Sequence, residues 1–217
     1  MPAGEWHQHR AMMLSPLEPG RLDDLLTRYR AALPETGAAS PVFERIAASL
    51  SAEGDAALWH GQAVALARCF GMAPIDEDPA DSFSWDGARV RIATEPAVLI
   101  HEVAHFQLAA PERRFVPDFG LGAGPETGRV AEADRARALG DAAREVEEQM
   151  ASLLGVLWEV ELGQPGIHAF MEQNWLEGAG RPSTAEFFAA TLERLVCWGL
   201  VDEAGRPRLA LRTRSDG

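Results

Sequence analysis

His101, Glu102 and His105 stand in the run His-Glu-Val-Ala-His. On a helix, residues four apart project to the same side, so the two imidazoles can hold one divalent ion. Glu102 then lies within reach of a water or ligand on that ion, placed to accept a proton. Two imidazoles alone grip an ion weakly, so a third protein ligand is needed, usually a carboxylate, with positions left open for chemistry. Downstream, Glu145, Glu148, Gln149 and Ser152 share one stripe of a helical segment. Glu145 with Gln149 four residues on would set a carboxylate on the metal and an amide behind it, and Glu148 is the alternative ligand. A charged helix face is otherwise simply solvated, and the upstream motif is what makes this one a ligand candidate.

The elements that must carry these residues are legible around them. Residues 88–93 alternate small or apolar residues with arginine and predict a short half-buried strand. Thr94 as N-cap, Glu95 at the positive end and Pro96 in the first turn predict a helix over 95–109 that stops before Pro111. Val98, Leu99, Ile100, Val103, Ala104 and Phe106 make that helix apolar on nearly every side, so the two histidines need buried partners, which one metal would supply together. Residues 141–162 predict a long helix with Val146, Met150, Leu153, Leu154, Leu157 and Val160 on its apolar face.

Residues 111–140 form a long connection rich in glycine, proline and charge, the kind that is functional or disordered. There Asp118 could accept the Nδ1–H of a metal-bound histidine, and Arg113 and Arg114 could bind a substrate carboxylate or phosphate; the plain alternative is an Asx-turn and surface arginines. His168, after the long helix, is a further acid–base candidate, whereas His7, His9 and His60 read as incidental.

In order and approximate spacing, Val90 to Ile92, His101-Glu102-Val103-Ala104-His105-Phe106, Arg113-Arg114, Asp118-Phe119-Gly120, Pro125 to Gly128, and Glu145 with Gln149 resemble the elongation factor P hydroxylases, non-haem iron proteins with a zincin-like core. The resemblance covers about residues 88–155 and implies an iron site and a hydroxylase activity, with elongation factor P as a protein substrate. Where that family carries aromatic residues after Asp-Phe-Gly, this chain has Leu121-Gly122-Ala123-Gly124.

Three functions fit the residues. The first is a mononuclear non-haem iron(II) oxygenase with His101, His105 and Glu145 as ligands, acting on a small molecule or a protein side chain. The second is a zinc peptidase with the same ligands and Glu102 as general base; the sole tyrosine, Tyr29, falls on a predicted N-terminal helix with no evident route to the site, so His168 or an arginine would have to serve as the oxyanion donor. The third is a non-catalytic interaction protein whose metal is structural or absent.

The 217 residues are 47% hydrophobic, enough for a good core without metal or disulfide, and predict one α+β domain, mostly helical, with a small β-sheet beside the metal-bearing helix. Within it the reading gives a helical part over 1–87, the metal-site core over 88–163, and a C-terminal helix and possible hairpin over 164–217. A net charge of −13 argues against nucleic acid or an anionic membrane surface as partner. Cys69 and Cys197 read as buried thiols of a cytoplasmic protein, and the basic end of the chain as a fraying tail.

Overall fold

The computed structural model describes residues 21–35, 37–176 and 182–215, with the side chains of Pro182 and Ser183 excepted; His7 and His9 lie outside the described residues. Helices dominate the order: α1 (Arg21–Ala32), α2 (Ala39–Ala48), α3 (Ala56–Cys69), β1 (Ala73–Ile75), β2 (Arg89–Arg91), α4 (Pro96–Leu108), α5 (Val130–Arg135), α6 (Asp141–Glu161), α7 (Gly166–Glu172) and α8 (Pro182–Cys197). The fold is thus mostly helical with one small sheet. That sheet is parallel, pairing Ala73 with Arg89 and Ile75 with Arg91. β1 was not expected from the sequence, because three residues are too few to show a period.

α4 begins one residue later than its sequence signals suggest, with Glu95 at the N-cap and Pro96 at the first helical position. It packs between α3 and α6, and Leu99, Ile100, Val103 and Ala104 are fully buried. One contiguous apolar core runs from Leu26 in α1 to Val201 beyond α8. No helix is long and apolar enough to cross a membrane among the described residues.

The 111–140 connection is not structureless. It contains short 3₁₀ turns at Arg113–Phe115 and Pro117–Gly120, and α5. Asp118 and Phe119 both take positive φ, 43° and 55°, a conformation costly for residues with a Cβ and held here by the bonds around it.

The C-terminal tail is anchored rather than frayed up to Ser215. The Gln107 Nε2 donates to the carbonyls of Arg208 (2.9 Å) and Ala210 (2.8 Å), its Oε1 accepts from Trp158 Nε1 at 2.6 Å, and Arg212 N donates to Gln107 O. The expected hairpin reduces to a single antiparallel bridge between Val201 and Pro207. Both cysteines are exposed, correcting the expectation of buried thiols: each sits at or near the C-terminal end of its helix, on the solvent side.

Candidate metal centre

α4 and α6 cross closely, and a Cβ on Gly155 of α6 would stand 3.6 Å from His101 Cα. Two turns back along α6, Glu148 faces the two histidines. The Nε2 atoms of His101 and His105 are 2.9 Å apart, and Glu148 Oε2 lies 3.6 Å from the first and 3.3 Å from the second. A circle through these three atoms has a radius of about 1.9 Å, so all three could reach one ion at about 2.0–2.1 Å, the usual zinc–imidazole bond length. The donor set fits a divalent ion: two imidazole nitrogens and one carboxylate, all on one side, could hold it together.

Glu145, the expected ligand, is exposed, and Glu148 takes its place in the cluster. The reason is the phase of α6. Sequence periodicity put Val146 on the buried face, whereas Val146 is 38% exposed and Glu147 is buried. Glu147 is drawn inward by Arg113, which is itself buried and donates from Nη1 to Glu147 Oε1 at 3.1 Å and from Nη2 to Oε2. Helix geometry then turns the next residue, Glu148, onto the histidines.

This pair also corrects the expected role of Arg113 as a substrate-binding group. Its second acceptor is Phe119 O, at 2.7 Å. Arg114 is likewise committed to the fold: its Nε donates to Phe106 O at 3.2 Å and its Nη2 to Arg212 O, tying the tail to α4.

Asp118 does not accept from a histidine. Its Oδ1 accepts from Trp85 N at 3.1 Å and its Oδ2 from Thr127 Oγ1 at 2.7 Å. The two positive-φ residues turn the Asp118 carboxylate away and lay Phe119 against His105 instead, with ring centroids 5.9 Å apart and planes 24° from parallel. The Nδ1 atoms of His101 and His105 are buried without a hydrogen-bond partner. His168 is exposed on α7 and does not join the cluster, while His60 Nε2 sits 2.6 Å from Ile92 O.

The electrostatics are those of a site short of positive charge. Burial alone would lower the His105 pKa, but Glu148, with Glu102 and Glu147 behind it, raises it to about 9. His101 moves the other way, lowered by burial and by the charge of His105. Burial opposes ionisation of Glu148, yet the two imidazoles hold its carboxyl far below the usual range. Burial pushes Glu102 up to about 8, with Asp118, Glu126 and Glu148 adding repulsion.

The ligands open on a cleft of about 380 Å³, bounded by His101 and Glu148 at one end and by Gln149, Ser152, Gln173 and Phe187 beyond. Gln149, expected behind a Glu145 ligand, lines this cleft together with Glu148. Glu126 was missed as part of the acidic surround, because a Pro-Glu-Thr-Gly turn shows nothing of what it faces. The cleft residues from α7 and α8 were missed because no local pattern links them to the motif. No protein-family model, curated protein or solved structure matches this chain.

Proposed function

We propose that the protein is a mononuclear non-haem iron oxygenase, a hydroxylase with His101, His105 and Glu148 as its metal ligands. The observation that carries this reading is the convergence of two Nε2 atoms and one carboxylate oxygen on one side of a single point, with a cleft beside them. Such a facial set suits iron(II), which when bound there would supply the one-electron chemistry that places one oxygen atom of O₂ into a substrate C–H bond and releases the other as water, with two electrons from an external reductant and two protons from solvent. The resemblance to elongation factor P hydroxylases and their zincin-like core supports the same reading.

The chain's own contribution is positioning and proton handling. Phe119 packs on the His105 ring, and the Arg113–Glu147 pair fixes the turn of α6 that presents Glu148. Glu102, half-buried beside His101, is placed to hold or release a proton at its carboxyl next to bound ligands. A substrate in the cleft would lie beside His101 and Glu148. Arg113 and Arg114, both committed to the fold, leave no role in holding a 2-oxoglutarate-like co-substrate to either.

A zinc peptidase with the same ligands would need a donor for the oxyanion. Tyr29, the only tyrosine, is 1% exposed and packed against Phe43 at 4.7 Å in the core, so it gives no such donor. The test is to load the protein with iron(II) without oxygen, admit O₂ with ascorbate, and follow oxygen uptake. Uptake above that of free iron, lost in Glu148→Ala, is expected. Uptake equal to free iron, together with peptide cleavage by the zinc-loaded protein, would reverse the assignment.

A further inference from the structure

Glu148 meets the two histidines through one oxygen. Oε2 lies nearest both imidazoles, while Oε1 has Arg144, one turn back on α6, beside it, with Nε 3.8 Å away. An ion pair four residues apart on a partly exposed helix face is ordinarily a weak feature, since both side chains are free to leave. This one is held at its far end. Arg144 Nη2 donates to Ala123 O at 3.2 Å, so the guanidinium spans from the Leu121-Gly122-Ala123-Gly124 loop to the carboxylate.

The loop is itself fastened where it meets the arginine. Ala123 N donates to Asp134 Oδ1 on α5 at 3.0 Å, and Gly120 O accepts from Ala138 N at 2.7 Å. Gly122 takes φ 88°, and a Cβ there would stand 3.0 Å from Asp134 Oδ1 and 3.5 Å from Arg137 Cδ, so glycine is what lets the loop close on this end of α5. A path of contacts therefore runs from Asp134 through Ala123 and Arg144 to the Oε1 atom of Glu148.

A guanidinium beside a metal ligand works against the ion, because like charges repel. The two imidazoles and Oε2 converge without its help. Its use lies in what it does to the other oxygen. A carboxylate can ligate through one oxygen or through both, and one whose second oxygen is held by an arginine gives a single bond. The position that Oε1 would fill is then left for an incoming ligand, as a catalytic rather than a closed site requires.

We propose that Arg144 is a positioning residue that keeps Glu148 a one-oxygen ligand and so keeps a coordination position open. This rests on Glu148 as a metal ligand, the core of the proposed function, and not on which metal is bound or on oxygen chemistry.

The experiment uses cobalt(II), whose visible absorption reports its coordination, titrated into metal-free wild type, Arg144→Leu and Arg144→Lys. Imidazole is then titrated into each cobalt-loaded protein. It is neutral, so the lost positive charge does not change its binding by simple attraction. The wild type is expected to take about one cobalt per chain and to bind imidazole on it. Arg144→Leu is expected to bind cobalt at least as tightly as the wild type, since repulsion is relieved, and imidazole about tenfold or more weakly, with a changed cobalt spectrum. Arg144→Lys, which keeps a charged donor for Oε1, should restore imidazole binding to within about threefold of the wild type. A partner that merely supported a ligand would instead cost about tenfold or more in metal affinity when removed. Cobalt affinity that falls by that much in Arg144→Leu, imidazole affinity that does not change there, or Arg144→Lys behaving as Arg144→Leu would overturn this proposal while leaving the metal centre in place. A wild type that binds no cobalt would overturn the metal centre and this proposal with it.

Discussion

The buried Arg113–Glu147 pair should decide both the stability of the protein and the aim of Glu148. Both side chains are nearly inaccessible, 4% and 6% exposed, so solvent cannot take over either charge when the other is removed. Arg113→Met would strand a buried carboxylate and leave Phe119 O without its donor. Breaking such a pair costs about 3–5 kcal/mol. At about 2–4 °C per kcal/mol for a chain of this size, that corresponds to a fall in Tm of roughly 6–20 °C. The double variant Arg113→Met with Glu147→Leu removes both charges, and should recover all but about 1–2 kcal/mol, the remainder being the orphaned Phe119 carbonyl. Urea unfolding of the wild type, both single variants and the double variant gives the coupling energy directly. The single variant should also bind zinc more weakly than the double one, since the stranded Glu147 charge disturbs the turn of α6 that presents Glu148. A single-variant cost below about 1 kcal/mol, or a double variant as unstable as the single, would refute the reasoning.

Other substitutions probe separate parts of the account. Glu159 is 5% exposed on α6, and burial, helped by Glu172, raises its carboxyl to about 8. The folded state therefore binds more protons than the unfolded one between about pH 4.5 and 8, and this group's contribution to stability falls as pH rises through that window. Glu159→Gln should flatten that fall, gaining a few kcal/mol at most at pH 8 and little at pH 5; equal effects in thermal unfolding at both pH values would contradict it. Gln107→Leu removes the donor to two tail carbonyls and the acceptor of Trp158, and should cost about 2–4 kcal/mol while hydrogen exchange rises over residues 208–212. Unchanged exchange there would show that the tail is held otherwise. Gly128→Ala would place a Cβ 1.8 Å from Ala80 O, so the turn carrying Thr127 must shift; a loss of about 2–4 kcal/mol in urea unfolding is expected, and a loss under about 0.5 would mean the loop gives way freely.

Where local chemistry dictates the element, the sequence could be read. Pro96 and Pro111 bracket α4, and the spacing of His101 and His105 puts both imidazoles together. The third ligand was within the expected stripe but one helical turn from the preferred residue. Periodicity assigns faces from apolar residues, so it read Val146 as buried and had no means of seeing that a charged residue, Glu147, takes the inward position because an arginine 34 residues away meets it. The same blindness applies to Arg114, spent on Arg212 O across 98 residues, and to the tail held by Gln107. The cleft wall from α7 and α8 comes together only through tertiary packing, with Trp175 Nε1 reaching Ser152 on α6. Asp118 illustrates a subtler limit: residue type marked it as a partner for a histidine, and two positive-φ backbone positions turned it toward Trp85 and Thr127.

The most direct test of the metal centre is elemental mass spectrometry on protein purified without a tag and without oxygen, comparing wild type, Glu148→Ala and Glu145→Ala. The account predicts about one metal ion per chain in the wild type, the same in Glu145→Ala, and close to none in Glu148→Ala, with iron as the metal. Metal retained in Glu148→Ala and lost in Glu145→Ala, or no metal in any of the three proteins, would contradict it.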